Sequence, residues 1–457
     1  METHHHKRSA FSGKLGFVLS AAGASVGLGN IWRFPYLAAK YGGGIFLLIY
    51  IVLAVTFGYT MIMAETALGR MTKKSPVGAF AAFGKGGGFA FGGWINAIIP
   101  ILIVPYYSVI GGWVIKYLVE YLRGGGSALA QDGYFSEFIS SGVSVELCFV
   151  VFTLFTLGII YAGVRNGVER VSKCMMPVLA VLSVIIAVYS VTRPGALAGV
   201  KYFLVPNLDN FSWMTVVSAM GQMFYSLSIA MGILITFGSY MKKDVSIEGS
   251  TTNVEIFDTA IAIMAGLMII PAVFAFSGGD PDTLQAGPAL MFITIPKVFD
   301  SMGMGTVVGV MFFLLVLFAA VTSSIALTES AVSTFEDELG WKRHKSTLLI
   351  GVIMLALGSL SALGYGPLAG VTVFGMQFLD LFAFLTNSVM MPIAAIATCL
   401  LVSRVVGVDK IEEEVTQNGG QFRRKAVFNF MIRYLCPLFA AIILVSSVAN
   451  ALGWIKM

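Results

Sequence analysis

The stretch AAGASVGLGNIWRFPY, residues 21–36, sets three glycines, a serine, an asparagine and an arginine inside an otherwise apolar run. A second stretch, YSLSIAMG from Tyr225 to Gly232, has the same character in mid-chain. Three acids, Glu65, Asp258 and Glu329, and the hydroxyl pair Thr322 and Ser323 also lie in apolar runs. In hydrocarbon, polar side chains and unwound backbone need partners that water cannot supply. A helix broken there frees carbonyls, which attract a cation, and exposes a half-helix N-terminus, which attracts an anionic group. One break can therefore hold a sodium ion and a carboxylate side by side. Plainer readings stand beside this one. Glycine and serine let membrane helices pack closely, Thr322 and Ser323 can bond a carbonyl one turn earlier, and Asp258 can be a structural, hydrogen-bonded acid.

Such residues need elements that cross a bilayer. Of 457 residues, 57% are hydrophobic and 12% charged, more apolar surface than a soluble core could bury. A spanning helix takes about 20 residues. Eleven runs are long enough, centred in 15–39, 44–68, 89–121, 145–161, 174–191, 214–237, 256–276, 305–335, 348–363, 373–401 and 435–452. Their lengths predict helices rather than barrel strands, hence an all-α integral membrane protein in contact with lipid on all sides. The longest connectors, around 122–144 and 404–428, are Gly-rich or charged, so residues 1–457 read as a single membrane domain.

Placing the N-terminus in the cytoplasm puts most loop Lys and Arg on that side, among them Lys73, Lys74, Arg165, Arg170, Lys242, Lys243, Lys342, Arg343, Arg423 and Arg424. This is the positive-inside pattern of a cell (inner) membrane protein, and an odd number of spans leaves the C-terminus outside. The net charge of +5 follows that topology and calls for no nucleic-acid partner. A cleavable signal peptide is the rival reading of the start, with Lys7 and Arg8 ahead of an apolar run and a small-residue AGA. Polar GLGNIWRFP would be an odd mature terminus. Cys148, Cys174, Cys399 and Cys436 lack metal-ligand spacing and read as packing residues. No histidine falls in a span.

The two interrupted spans are the first and the sixth, which head equivalent sets of five helices. Matching interruptions in two halves point to an inverted-repeat secondary transporter with its site near mid-bilayer. The repeats would cover 14–192 and 212–403, with an additional helix at 431–453.

GLGNIWRFP in the first span, SLS in the sixth and AAVTSSIAL in the eighth resemble the neurotransmitter:sodium symporter family, from Arg8 to about Arg404. Eleven spans resemble its shorter bacterial branch. The resemblance implies a leucine-transporter-like 5+5 bundle plus one C-terminal helix, with helices one and six unwound. It implies two sodium sites and no organic cofactor. The first would use the Ser25 carbonyl, Asn30, Ser226 and Asp258, completed by the substrate carboxylate. The second would use carbonyls of Gly23, Val26 and Ala319 with hydroxyls of Thr322 and Ser323. All are hard oxygen donors.

The family position of Asp258 usually carries Asn, and chloride-dependent members place an anion nearby, where Tyr50, Gln222 and Ser226 match. A fixed carboxylate at Asp258 would substitute for the chloride, with proton counter-transport on the empty return. By the same likeness Glu65 braces the unwound sixth helix, Arg33 with Asp380 forms an outer gate and Arg8 with Asp337 an inner one. The segment Gly167 to Pro177 resembles a part of helix five that unwinds. Interfacial snorkelling is the plainer account of the gate residues.

Gly27 stands where monoamine carriers of the family have Asp, which argues for an amino acid bringing its own carboxylate. Ala24, Ser25, Gly27, Leu28, Gly29, Ile103, Tyr107, Tyr225, Ser226, Ser228, Met231, Ser323 and Leu327 would surround it. None of them can pair a charged side chain, so the expected substrate is a hydrophobic L-amino acid, aliphatic or aromatic. An amino-acid-sensing membrane receptor with the same sites but no turnover is the alternative. A channel lacks a repeated selectivity loop, and an enzyme finds no support, since GKGGGFAFGG lacks the context of a phosphate loop.

Overall fold

The computed structural model describes residues 9–84, 87–279, 284 and 286–454, with the side chains of 87–89 and 418 excepted. Its spans are α1 (Lys14–Ser25 and Gly29–Lys40), α2 (Gly44–Thr72), α3 (Ala90–Leu122), α4 (Gly142–Tyr161) and α5 (Val164–Val191). They continue as α6 (Trp213–Ser226 and Ile233–Tyr240), α7 (Ile247–Ser277), α8 (Gly305–Leu339), α9 (Arg343–Leu363), α10 (Phe378–Val406) and α11 (Lys425–Ala451). Among the described residues the only β pairing is an isolated bridge between Val373 and Met376. The fold is all-α, and the faces are named below by the charge expectation.

Burial says where the core sits. The apolar windows of α3 and α8 are 78% and 72% buried, against 28% for α11 and 33% for α5. The two central helices pack along each other, α2 packs on the second half of α6, and the first half of α1 runs between α5, α7 and α8. Lipid-facing helices keep apolar residues outward, such as Leu154 and Phe155 of α4 and Val181 and Val184 of α5. Helix ends follow local chemistry. Ser212 and Thr215 form a reciprocal capping box at the start of α6, and Gly340 ends α8 in the left-handed conformation.

Two spans are discontinuous. In α1 the helix stops at Ser25 and resumes at Gly29, bent by 55°. In α6 it stops at Ser226 and resumes at Ile233, and Ser228, Ala230 and Gly232 between them have positive φ values of 53°, 58° and 69°, which no right-handed helix contains. Both breaks are shorter than the expected Gly23–Gly29 and Tyr225–Gly232 intervals.

The tenth span begins at Phe378 rather than 373. The segment from Gly167 to Pro177 is helical in this state: a π-turn over Val164–Glu169 runs into a continuous helix, Arg170–Val191. The charged connector around 404–428 is an ordered element. It contains a helix, Val408–Thr416, whose Glu414 accepts from buried Arg70 at 2.6 Å and from Lys243 at 2.9 Å.

Candidate functional site

The broken segments of α1 and α6 face each other and are tied by side chains. The Ser228 hydroxyl donates to the Ala24 carbonyl at 2.9 Å. The Ala230 N–H, in the α6 break, donates to Glu65 Oε1 at 2.7 Å, and Glu65 is fully buried on α2. In the α1 break, Gly27 N–H donates to Asn30 Oδ1 at 3.1 Å and Leu28 N–H to the Tyr107 hydroxyl at 3.2 Å. These bonds answer the accounting problem of unwound backbone in an apolar setting.

All the residues expected around a substrate line one cavity between the breaks, with Asn30 in addition. Its volume is about 30 Å³, so its walls stand close together in this state. Glycine allows close approach here. A Cβ on Gly27 would fall 2.8 Å from Ser323 Oγ and 3.0 Å from the Tyr107 hydroxyl, and one on Gly29 would fall 2.6 Å from the Tyr225 ring. Ile103, Met231 and Leu327 supply an apolar wall, each at most 4% exposed.

At one side of the cavity Asp258 is fully buried. Asn30 Nδ2 donates to it at 2.9 Å, the Ser226 hydroxyl at 3.0 Å and the Tyr50 hydroxyl at 3.4 Å. Among the described residues no ion pair reaches it. A carboxylate served only by neutral donors in an apolar interior retains a charge that a cation or a proton must offset. Ser25 lines the same cavity, and its hydroxyl donates to the Ala21 carbonyl at 3.1 Å. Gln222 donates to the Gly29 carbonyl at 3.1 Å.

At the other side Ser323 of α8 meets the end of the first half of α1. Its hydroxyl lies 3.2 Å from the Gly23 carbonyl, 3.3 Å from that of Ala24 and 3.2 Å from that of Val26. Thr322 is adjacent, since a Cβ on Gly23 would sit 3.0 Å from its Cβ. Its hydroxyl bonds back to Phe318 at 2.9 Å and Ala319 at 3.2 Å.

Broken first and sixth helices are the arrangement the sequence motifs implied, and comparison with known proteins decides the family. Residues 8–125 and 135–454 match the sodium:neurotransmitter symporter family. The chain belongs to that family. It is 34% identical to the sodium-dependent transporter YhdH of Bacillus subtilis (strain 168), over 95% of this chain and 96% of the relative. It is 29% identical to a sodium-dependent transporter of Haemophilus influenzae, over 98% and 100%. The crystal structure of MhsT in complex with L-phenylalanine superposes with a TM-score of 0.86 at 33% identity, covering 96% of this chain and 100% of that one.

For a symporter of this family the closures above and below the cavity matter as much as the cavity. The expected outer pair is not formed. Arg33 lies over the Tyr225 ring, 5.5 Å from its centroid, and Asp380 accepts from the Tyr365 hydroxyl at 3.1 Å. A vestibule of about 350 Å³, lined by Trp32, Arg33, Tyr225 and Asn387 among others, opens beside them. On the inner side Asp337 accepts from the Ser75 N–H at 2.6 Å, while Arg8 lies outside the described residues.

Two inner contacts, Ser12 with Glu169 and Tyr240 with Glu329, join residues far apart in the chain and carry no signal in the sequence. Glu169 of α5 accepts from the Ser12 N–H at 2.9 Å and pairs with Lys173 at 2.6 Å. Glu329 of α8, which the sequence marks only as an intramembrane acid, accepts from the Tyr240 hydroxyl at 2.7 Å and from Arg343.

Proposed function

We propose that this chain is a sodium-coupled symporter of hydrophobic L-amino acids, aliphatic and aromatic, working by alternating access without chloride. The observation that carries the reading is Asp258, a buried acid with neutral partners at the edge of a cavity between two broken helices. One sodium ion would be held by Asp258, Asn30, Ser226 and the Ser25 carbonyl, and the substrate carboxylate would complete its shell. A second would sit between the Gly23, Val26 and Ala319 carbonyls and the Thr322 and Ser323 hydroxyls, the Thr322 oxygen keeping lone pairs free while it donates to its own helix.

The substrate ammonium would meet carbonyls of the breaks near Ser228. Its side chain would lie against Ile103, Met231 and Leu327, with Tyr107 and Tyr225 closing over it. Met231 is flexible enough to accommodate branched and aromatic groups. Support for the substrate class comes from the apolar lining and from the likeness to MhsT, whose structure holds L-phenylalanine. Arg33 with Asp380 and Arg8 with Asp337 would pair in the states that close each side.

One charge crossing 100 mV is worth about 2.3 kcal/mol, so two sodium ions with a zwitterion gain about 4.6 kcal/mol, roughly three decades of accumulation. A proton carried outward on Asp258 would reduce that electrical share. The lysine and arginine distribution supports a cytoplasmic N-terminus and an external C-terminus in the cell membrane.

The test is uptake of labelled phenylalanine into proteoliposomes, with every standard amino acid as competitor and with sodium, chloride and internal pH varied separately. Sodium-driven accumulation that survives replacement of chloride by gluconate, blocked by hydrophobic but not by acidic or basic competitors, is the expected result. Binding without accumulation would identify the receptor instead, and accumulation indifferent to sodium would overturn the proposal.

A further inference from the structure

Away from the cavity, three sulfur side chains meet where α2, α10 and α11 join. Cys399 of α10 lies with its Sγ 3.7 Å from Sδ of Met61 on α2. The Cys436 thiol of α11 lies beside that of Cys399. All three residues are completely buried, and Phe57 and Phe439 pack one turn away with ring centroids 5.9 Å apart.

The backbone there is unusual as well. Each sulfur residue lies within three positions of a π-turn: Met61 follows Ala54–Gly58, Cys399 precedes Leu401–Val406 and Cys436 follows Met431–Leu435. The turn in α11 contacts those in α2 and α10. Single π-turns inside helices concentrate at functional sites.

We propose that Met61, Cys399 and Cys436 form a binding site for a thiophilic monovalent cation of the copper(I) class. Two thiols and a thioether are soft donors that select such ions over sodium, calcium or magnesium. With metal–sulfur bonds near 2.3 Å, the sulfurs of a three- or four-coordinate site stand about 3.8–4.0 Å apart, close to the Cys399–Met61 separation. No three His, Cys, Asp or Glu side chains gather into a metal site among the described residues, so the third donor here is a thioether and harder divalent ions are poorly served. Loss of one thiol proton to solvent on binding leaves a thiolate–cation pair of zero net charge, which an apolar interior tolerates. Because the donors come from three helices, a bound ion ties α2 to α10 and α11.

Silver(I) in chloride-free sodium nitrate is the probe. The parent is the full chain with Cys148→Ala and Cys174→Ala, which removes the cysteines outside the cluster. After desalting against free methionine, the parent should retain a single silver ion per chain by elemental analysis. Cys399→Ala or Cys436→Ala should lower retention at least ~10-fold, the minimum expected when a ligand rather than an outer partner is removed, and Met61→Leu should lower it less. Sodium-dependent uptake in metal-free buffer shows that each variant is folded, with Cys436→Ser as the milder replacement. A parent that retains no silver, or retention unchanged by the cysteine substitutions, overturns the proposal.

Discussion

The two oxygen clusters that flank the cavity draw their negative potential from different sources. Around Asp258 it is a formal charge on a side chain, approached by Asn30, Ser226 and Tyr50. Around Ser323 it is the dipoles of the Gly23, Ala24 and Val26 carbonyls, which exist only because α1 stops there. A carboxylate can exchange a cation for a proton, whereas a ring of carbonyls cannot. One cluster should therefore respond to pH and the other should be a fixed cradle, sensitive only to geometry.

The largest effect is expected from Asp258→Asn, which keeps a ligand oxygen and removes the charge. A full charge at about 4 Å is worth about 4 kcal/mol at an effective dielectric of 20, and retaining the amide oxygen leaves roughly a 100-fold rise in the sodium needed for half-maximal uptake. Added chloride should partly restore the variant and do nothing for the wild type. Acidification converts Asp258 to its neutral form, so falling pH should raise the sodium requirement of the wild type and leave Asp258→Asn flat. Equal pH profiles for the two proteins would erase the distinction between the clusters.

A smaller and pH-independent loss is expected at the other cluster. Ser323→Ala removes one neutral oxygen, worth about 1.5 kcal/mol or roughly tenfold in sodium half-saturation. Thr322→Val sharpens the point, because the Thr322 hydroxyl is bonded to Phe318 and Ala319 in its own helix. If the oxygen also meets the ion through a lone pair, its removal should cost as much as that of Ser323. An unchanged sodium dependence would assign Thr322 to helix packing alone.

Much of this arrangement was legible in the sequence because hydrocarbon permits so few solutions. Glycines beside Asn30 inside an apolar run are hard to reconcile with a continuous helix, and Ser228 to Gly232 repeats the pattern where a second half would begin. Spans were legible from length and hydropathy, except where composition does not mark the helix start, as at Phe378. Pairings between distant residues were not legible. Nothing in the sequence links Arg70 to Glu414, which lie 344 positions apart, or Ser12 to Glu169, because such contacts depend on how finished helices dock. Nor does the Gly and Pro spacing of α5 say when the helix unwinds, since Pro177 can sit in an intact helix if neighbouring groups take up the freed carbonyl.

The smallest effect is expected at the outer closure, where the structure departs from the expected pairing. Asp380 is exposed and bonded to Tyr365, while Arg33 faces the Tyr225 ring over the cavity. An exposed ion pair is worth about 0–1 kcal/mol, so Asp380→Asn should change phenylalanine uptake by less than about fivefold and leave its sodium and pH dependence as in the wild type. Arg33 has a second role that Asp380 lacks, because its guanidinium rests on the aromatic lid. A loss at Asp380 as deep as that at Asp258 would mean that closure of the outer gate, and not ion binding, limits the cycle. The contrast between the two clusters would then have to be read from equilibrium sodium binding rather than from flux.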